Sequence, residues 1–407
     1  MLTVEQAKQT ILGAVAALPA ETVPTAAALG CVLAEDVASD INIPSFDNSA
    51  MDGYAVRVAD VAGASAEHPV RLRCQGEVPA GSVASSPLQA GCALKIFTGA
   101  PVPPAADTVV IQEDTRREGD VVVVLDSEKA GANIRRAGED ISKGAVVLRL
   151  GSLCGPAHVG VAASLGRAQL SVVRRPRVAV LATGEELVTP GKPLGPGQIY
   201  DSNSPTLAAL VRQAGCEPVT AGIVPDTLEA TQSALERALA QADVVITSGG
   251  VSVGEYDFVK DALVALGADT KLWKVAMKPG KPLVFSVCGG KPVFGLPGNP
   301  VSVFITFVLF AWPALQKMRG LADDALDLPT ADAIAQEPFT VRGDRRHYLR
   351  VRLRREGDRL LARAAGGRQQ SHILSGLLDT DGLIGLDPGA SVPAGGTVRV
   401  ILLPKAS

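Results

Sequence analysis

Between residues 177 and 322 short apolar runs and helical patterns take turns, and this alternation constrains the fold more than any other feature. "RVAVLAT" (177–183) is a short apolar strand. "NSPTLAALVRQAG" follows as a helix, with capping candidates Ser202 and Asn203 and a stop at Gly215. "EPVTAGIV" is a second strand, and "TLEATQSALERALAQA" is a helix capped by Asp226 or Thr227. "DVVITSGG" is a third strand and "YDFVKDALVALG" a third helix. "TKLWKVAMK", "LVFSVC" and "PVFGLPG" are further strands. Asn299 then caps "PVSVFITFVLFAWPALQKMRG", with Pro300 at its first helical position. Strands that alternate with helices build a mostly parallel sheet covered on both faces. The spacing therefore predicts a doubly wound α/β domain over 176–322.

The flanks carry another pattern. From 45 to 140 the strand candidates "VRLRCQGEV", "CALKIFTG", "TVVIQEDT" and "VVVVLD" are separated by Gly and Pro. From 323 to 407 "RHYLRVRLRR", "RLLARAAG" and "TVRVILLP" read the same way. Both segments are expected to be small β-rich domains. The first 44 residues are partly helical, and "CGPAHVGVAASLG" (154–166) is another helix. Residues 1–44 and 141–175 are expected to form one discontinuous, elongated domain of helical and extended pieces, with the β module inserted. In "RGDRRHYLRVRLRR" Leu349, Val351 and Leu353 alternate with Arg350, Arg352 and Arg354, which predicts a half-buried strand with a solvated arginine face.

Composition narrows the function classes. A chain of 407 residues exceeds one compact core and implies two to four domains. A net charge of -3 argues against a sequence-independent nucleic-acid binder. The six cysteines are never within three residues of one another and no His completes a zinc pattern, so reduced, buried thiols of a cytoplasmic protein are expected. The opening "MLTVEQAKQTILGAV" reads as an amphipathic helix rather than a signal peptide. "VSVFITFVLFAWPAL" is short of a membrane span and contains Pro313, so no membrane partner is expected.

In an open α/β sheet, ligands bind at the carboxyl ends of the strands. Four loops fall there: "TGEEL" with Glu185 and Glu186, "PDT" with Asp226, "SGGVSVGEYD", and "LPGNP". The third combines a small-residue turn (Ser248, Gly249, Gly250, Ser252, Gly254) with Glu255 and Asp257. The last supplies Pro297, Gly298 and Asn299. A phosphate cradle and carboxylates coexist when a divalent cation bridges them, so the set points to a phosphorylated or nucleotidyl substrate with Mg²⁺. Each piece also has a plainer reading: Asp226 as a helix cap, "LPGNP" as a helix start. Lys274 and Lys278, four apart along an extended run, are expected to share a face and neutralise an anion; otherwise they are a solvated strand edge. Lys281, held between Gly280 and Pro282, is a weaker candidate.

Nine blocks in order, among them "FDNSAMDGYAV", "IFTGAPVPPAADTVVIQED", "NIRRAGEDI", "RPRVAVLATGEELV", "TSGGVSVGEYDFVK", "KPGKPLVF", "GLPGNPVSV" and "SHILSGLLDTDGLIGL", resemble the molybdopterin molybdenumtransferases, the MoeA-type enzymes related to the C-terminal domain of gephyrin. The resemblance covers nearly the whole chain. It implies four-domain subunits in an elongated homodimer, with a MogA-like molybdopterin-binding α/β domain. It implies adenylylated molybdopterin and molybdate as substrates, AMP as product and Mg²⁺ as cofactor, with other molybdenum cofactor biosynthesis proteins as partners. Carried over residue by residue, it implies catalytic roles for Asp52, Asp140, Glu186, Asp226, Asp257, Lys274 and Lys278. Glu186, Asp226 and Asp257 are the implied metal ligands. Substrate contacts fall on Thr98, Arg135, the glycine turn, "PGN" and Ser371. Tyr256 stands where the family often has Ala, and Ala137 where a third basic residue is common. A molybdopterin adenylyltransferase and a non-catalytic scaffold are the rival readings. The β-rich flanks disfavour the first, and the retained acids and lysines the second.

Overall fold

The structure is a computed structural model that describes residues 1–251, 258–366 and 369–404. The chain divides into two compact units. One comprises Met1–Glu35, Leu150–Gly160 and Ala168–Ser407, and the other Asp36–Arg149 and Val161–Arg167.

The first unit holds a six-stranded sheet whose strands are β1 (Arg177–Thr183), β2 (Glu217–Val224), β3 (Val244–Ser248), β4 (Asp269–Lys274), β5 (Pro282–Cys288) and β6 (Lys291–Leu296). Their spatial order is β2-β1-β3-β6-β5-β4. The first four in that order run parallel, and β5 and β4 add antiparallel strands at one side. Alternate residues face opposite ways, as the pleat requires. Val178, Val180, Val244, Ile246, Phe285 and Phe294 enter one core with α1 (Asn203–Gln213) and α4 (Pro300–Met318). Ala179, Leu181, Val245, Val284 and Val293 enter the other with α2 (Leu228–Gln241) and α3 (Val259–Ala265). The doubly wound domain expected from the alternation is therefore present. The N-terminal helix Val4–Gly13 buries Val4, Ala7 and Ile11, an i, i+3, i+7 stripe, in the same core as α4.

Two helix readings need correction. Ser202 makes no side-chain cap; Asp201 Oδ1 instead accepts from the Asn203 and Ser204 amides at 3.0 Å each, which leaves the Asn203 side chain free. The apolar stretch 301–315, expected to fall short of a membrane span, is part of a longer helix that continues through Pro313 as expected. Proline has no N–H and its ring crowds the preceding turn. Here a π segment, Phe307–Ala311, widens the helix, and the Trp312 amide bonds to Phe307 O five residues back. The helix so formed, Pro300–Met318, is long and apolar enough to cross a membrane, but 83% of it is buried inside the protein as the core helix of this unit.

The C-terminal residues form a closed ring of five strands: Arg346–Glu356, Arg359–Ala364, Thr330–Ala335, Thr397–Leu402 and Gly382–Leu386, the last pairing back onto the first. Closure removes sheet edges. The ring encloses Val351, Ala362, Ile384, Val398 and Val400. A sixth strand, Met277–Lys278, joins it from the α/β region, pairing parallel with Arg346–His347.

The second unit is β-rich. Its six-stranded sheet runs Thr108–Ile111, Gly53–Val56, Cys92–Ile96, Val70–Val78, Val121–Val124, Thr115–Glu118. Small apolar clusters lie on its two faces, one with Val56, Ala93 and Val110 and one with Ala55, Leu94 and Val109.

Candidate active site

All four parallel strands of the α/β sheet end at one cavity of about 660 Å³. Thr183, Gly184 and Glu186 reach it from β1, Asp226 from the loop after β2, Ser248, Gly249 and Gly250 from β3, and Pro297, Gly298 and Asn299 from β6. Parallel strands deliver their carboxyl ends to one side, so the four loops meet because of the topology. The turn after β3 depends on glycine: Gly249 has φ +91°, and a Cβ there would lie 2.8 Å from Thr183 O. Its amide donates to Leu296 O at 3.1 Å, which ties the β3 and β6 ends together.

The acids take distinct places. Thr227, not Asp226, caps α2, accepting from the Ala230 amide at 3.2 Å. Asp226 is thereby released to the cavity, where its Oδ2 accepts from the Glu185 amide at 3.2 Å. Glu186 lines the cavity with its carboxylate over Gly184, where an added Cβ would come within 2.6 Å of Oε2. Glu185 and Glu186 are both exposed, and only Glu186 lines the cavity. Ser252, Gly254, Glu255 and Asp257 lie outside the described residues. Among the described residues no three His, Cys, Asp or Glu side chains gather to hold a metal ion.

Two residues at the cavity escaped the sequence reading. Asn203 Nδ2 donates to Ser248 Oγ at 2.8 Å and to Gly298 O at 2.7 Å, bracing the β3 and β6 loops from α1. His372 reaches the same cavity from the C-terminal ring. The capping role read into Asn203 hid the first. No motif marks the second, apart from its place beside Ser371.

A second cavity of about 670 Å³ adjoins the first and shares Pro282, Pro297, Asn299 and His372 with it. Lys278, Lys281, Arg345 and His347 line it, with Ser302 and Ser371, and among the described residues no carboxylate does. Burial and the nearby Lys278 and Arg345 charges lower the His347 pKa, so its neutral form is favoured. The expectation that Lys274 and Lys278 share a face is corrected. Lys274 ends β4 in the α/β sheet, whereas Lys278 belongs to a strand of the ring, because the chain leaves one sheet for the other between them. Lys274 lines neither cavity, and Lys281 does.

The wall carrying Ser371 and His372 is anchored by Arg350. Its solvated face is a further correction: Arg352 and Arg354 are exposed, but Arg350 is only 1% exposed. Its guanidinium donates to Ile373 O at 3.0 Å, and its backbone pairs with the Gln369 side chain at 2.9 and 3.1 Å. Gly376 leaves it room, since a Cβ there would come within 2.5 Å of Nη1. Ser371 O in turn accepts the Val301 amide at 3.1 Å. This serves the first turn of α4, where Asn299 occupies the cap position without a side-chain hydrogen bond.

The remaining candidates belong to the second unit and are described within it. Asp52 Oδ1 accepts from the Thr98 amide at 2.7 Å and its hydroxyl at 2.8 Å. These bonds hold the exposed Asp52 carboxyl below the usual carboxylate range. Arg135 and Asp140 are exposed; Arg135 pairs with Asn48 in a short ladder, and the Asp140 amide donates to Ile43 O at 3.0 Å.

A glycine turn, flanking acids and an adjoining cationic cavity place a ligand site at the carboxyl ends of the parallel strands, which defines a doubly wound α/β domain of the ligand-binding class. Comparison with known proteins narrows this class. Residues 2–166 match the profile described as MoeA N-terminal region (domain I and II), 179–317 the probable molybdopterin binding domain, and 332–403 the MoeA C-terminal region (domain IV). A molybdopterin molybdenumtransferase of Nostoc sp. is 41% identical over 388 residues, covering 94% of this chain and 89% of the relative. Molybdopterin molybdenumtransferase 2 of Mycobacterium tuberculosis is 41% identical over 381 residues, covering 92% and 93%. The solved molybdopterin biosynthesis MoeA protein of Pyrococcus horikoshii OT3 superposes with a TM-score of 0.84 at 32% identity, covering 99% of this chain and all of that one. The chain belongs to the molybdopterin molybdenumtransferase family, a family of transferases in molybdenum cofactor biosynthesis.

Proposed function

We propose that the chain inserts molybdenum from molybdate into adenylylated molybdopterin and releases AMP, with Mg²⁺ as cofactor. One observation carries the reading: a glycine-lined cavity flanked by carboxylates opens beside a cavity lined by lysine, arginine and histidine and, among the described residues, by no carboxylate. The first suits a pyrophosphate linkage, which the glycine turn after β3 lets approach the backbone closely. The second suits a tetrahedral oxyanion such as molybdate. His372 and Asn299 stand where the two meet.

Two hard carboxylates at the first cavity, Glu186 and Asp226, fit a divalent cation that takes its remaining oxygens from phosphate and water. Mg²⁺ held there would offset phosphate charge. In release of AMP a water oxygen bonds to phosphorus as the bridging oxygen departs on the other phosphate. A carboxylate of the cavity orients the water. Lys278 and Lys281 offset charge, and Ser248, Gly249, Gly250, Gly298 and Asn299 hold the substrate. Ser252, Gly254 and Asp257 take part through the same loop, and Lys274 acts at longer range.

The four-domain division at 44, 140, 175 and 322 and a cytoplasmic homodimer complete the reading. Asp52, Thr98, Arg135 and Asp140 are assigned to the cleft of the partner subunit. The test is an assay of AMP release with purified adenylylated molybdopterin, molybdate and Mg²⁺. AMP that appears only when molybdate and cation are both present supports the reading. Transfer of AMP from ATP onto molybdopterin would instead make the chain an adenylyltransferase. Binding of adenylylated molybdopterin without turnover would leave a scaffold.

A further inference from the structure

The C-terminal ring carries a third hollow, of about 380 Å³, lined by Gln336, Arg352, Leu353, Arg354 and Arg363. It shares no lining residue with either cavity described above. Arg352 and Arg363 are direct partners across the antiparallel ladder of Arg346–Glu356 and Arg359–Ala364. Arg354, two residues along, lies on the same face. Like charges placed opposite each other destabilise a sheet. The chain as a whole is acidic, with a net charge of -3, so this local excess runs against its composition. Among the described residues the only carboxylate within ion-pair distance of the three is Asp379, 3.4 Å from Arg352. All three arginines are exposed, so their forks are open to a ligand.

We propose that this hollow binds the phosphate group of a small polyphosphate, of the pyrophosphate or nucleotide type. Asp379 is set against the Arg352 guanidinium, and among the described residues the Arg354 and Arg363 forks have no carboxylate within ion-pair distance, which leaves both for a phosphate. Guanidinium forks pair bidentately with phosphate oxygens, and several forks around one hollow match a group with three terminal oxygens better than a single carboxylate. The volume is that of a small-ligand site rather than an extended protein groove. Gln336 supplies a neutral amide for hydrogen bonds beyond the phosphate. Occupation of the hollow relieves the repulsion between Arg352 and Arg363.

The test is calorimetric titration of the full chain with inorganic phosphate, pyrophosphate, ATP and a polyglutamate peptide, at low and moderate salt. It is run on the wild type, Arg354→Gln, Arg363→Gln and Lys278→Ala, each checked by thermal melting. The expected result is a pyrophosphate or ATP site weakened about tenfold or more in either arginine variant but unchanged in Lys278→Ala, which weakens only binding at the two cavities described above. Binding of pyrophosphate alone identifies the free anion as ligand, and tighter binding of ATP identifies a nucleotide. Two outcomes overturn the proposal. One is polyphosphate binding unchanged in both arginine variants while they melt like wild type. The other is preference for polyglutamate over every phosphate compound, which makes the face a docking site for acidic protein segments.

Discussion

Replacing Asn203 by alanine isolates what holds the loops after β3 and β6 together. The Nδ2 group makes two hydrogen bonds, 2.8 Å to Ser248 Oγ and 2.7 Å to Gly298 O. Each net hydrogen bond contributes about 1 kcal/mol. The two losses differ in kind. Gly298 is exposed, so water replaces the donor there, whereas Ser248 is 2% exposed and its hydroxyl loses a partner that water reaches poorly. Alanine is also the better helix former at the start of α1, which returns about 0.5 kcal/mol. The net loss is on the order of 1.5–2 kcal/mol, which lowers Tm by roughly 5 °C for a domain of this size. The effect on turnover should be larger than that. Both loops lose their shared brace, and a misplacement near 1 Å at a reacting centre costs about 10²-fold. Thermal melting and steady-state AMP release, measured well below Tm, separate the two effects. Asn203→Asp, similar in size but without the donor, should be the more damaging variant, since a carboxylate faces Gly298 O. Wild-type kcat/KM in Asn203→Ala at a temperature where it is fully folded would refute the bracing role.

Lys278→Ala should weaken molybdate binding and leave stability within ~0.5 kcal/mol of wild type, because the side chain is exposed in the second cavity; equilibrium dialysis with molybdate checks it. His347 carries a lowered pKa, so the unfolded chain takes up its proton first as pH falls, and the free protein loses stability from the ordinary histidine value of 6.5 downward. Over the same window protonation adds positive charge to the second cavity, so sulfate affinity should rise as pH falls if that cavity takes an oxyanion, and His347→Gln should flatten that rise in a titration series. Mixing inactive Asp52→Ala and Asp226→Ala chains should restore part of the activity if the second unit completes its partner's cleft. No recovery after demonstrated chain exchange would place each cleft within one chain.

The strand β1 was legible because a buried parallel strand is a continuous apolar run, and it begins and ends where that run does. The meeting of Glu186, Asp226, Ser248 and Asn299 at one cavity followed from strand order alone. What stayed hidden was tertiary. Alternation correctly put Arg350 on the face opposite Val351, but nothing in the period reveals that a loop twenty residues later covers it. Asp201, Ser202 and Asn203 are all cap-competent, so type alone does not decide which one caps α1. A constant four-residue spacing suggested one face for Lys274 and Lys278, because spacing carries no sign that the chain changes sheets between them.

That change of sheet has a bearing on how such a chain is inherited and dissected. Met277–Lys278 is a strand of the ring, yet it is encoded between β4 and β5 of the α/β sheet. A cut near residue 322 divides the sequence neatly but not the hydrogen bonds. The ring excised on its own exposes the edge of Arg346–His347, and the remainder carries a strand with no partner. Exchange of C-terminal segments between relatives is therefore constrained by residues that lie well outside the exchanged piece. A chimaera keeps its second cavity only if the incoming ring accepts the resident lysine strand.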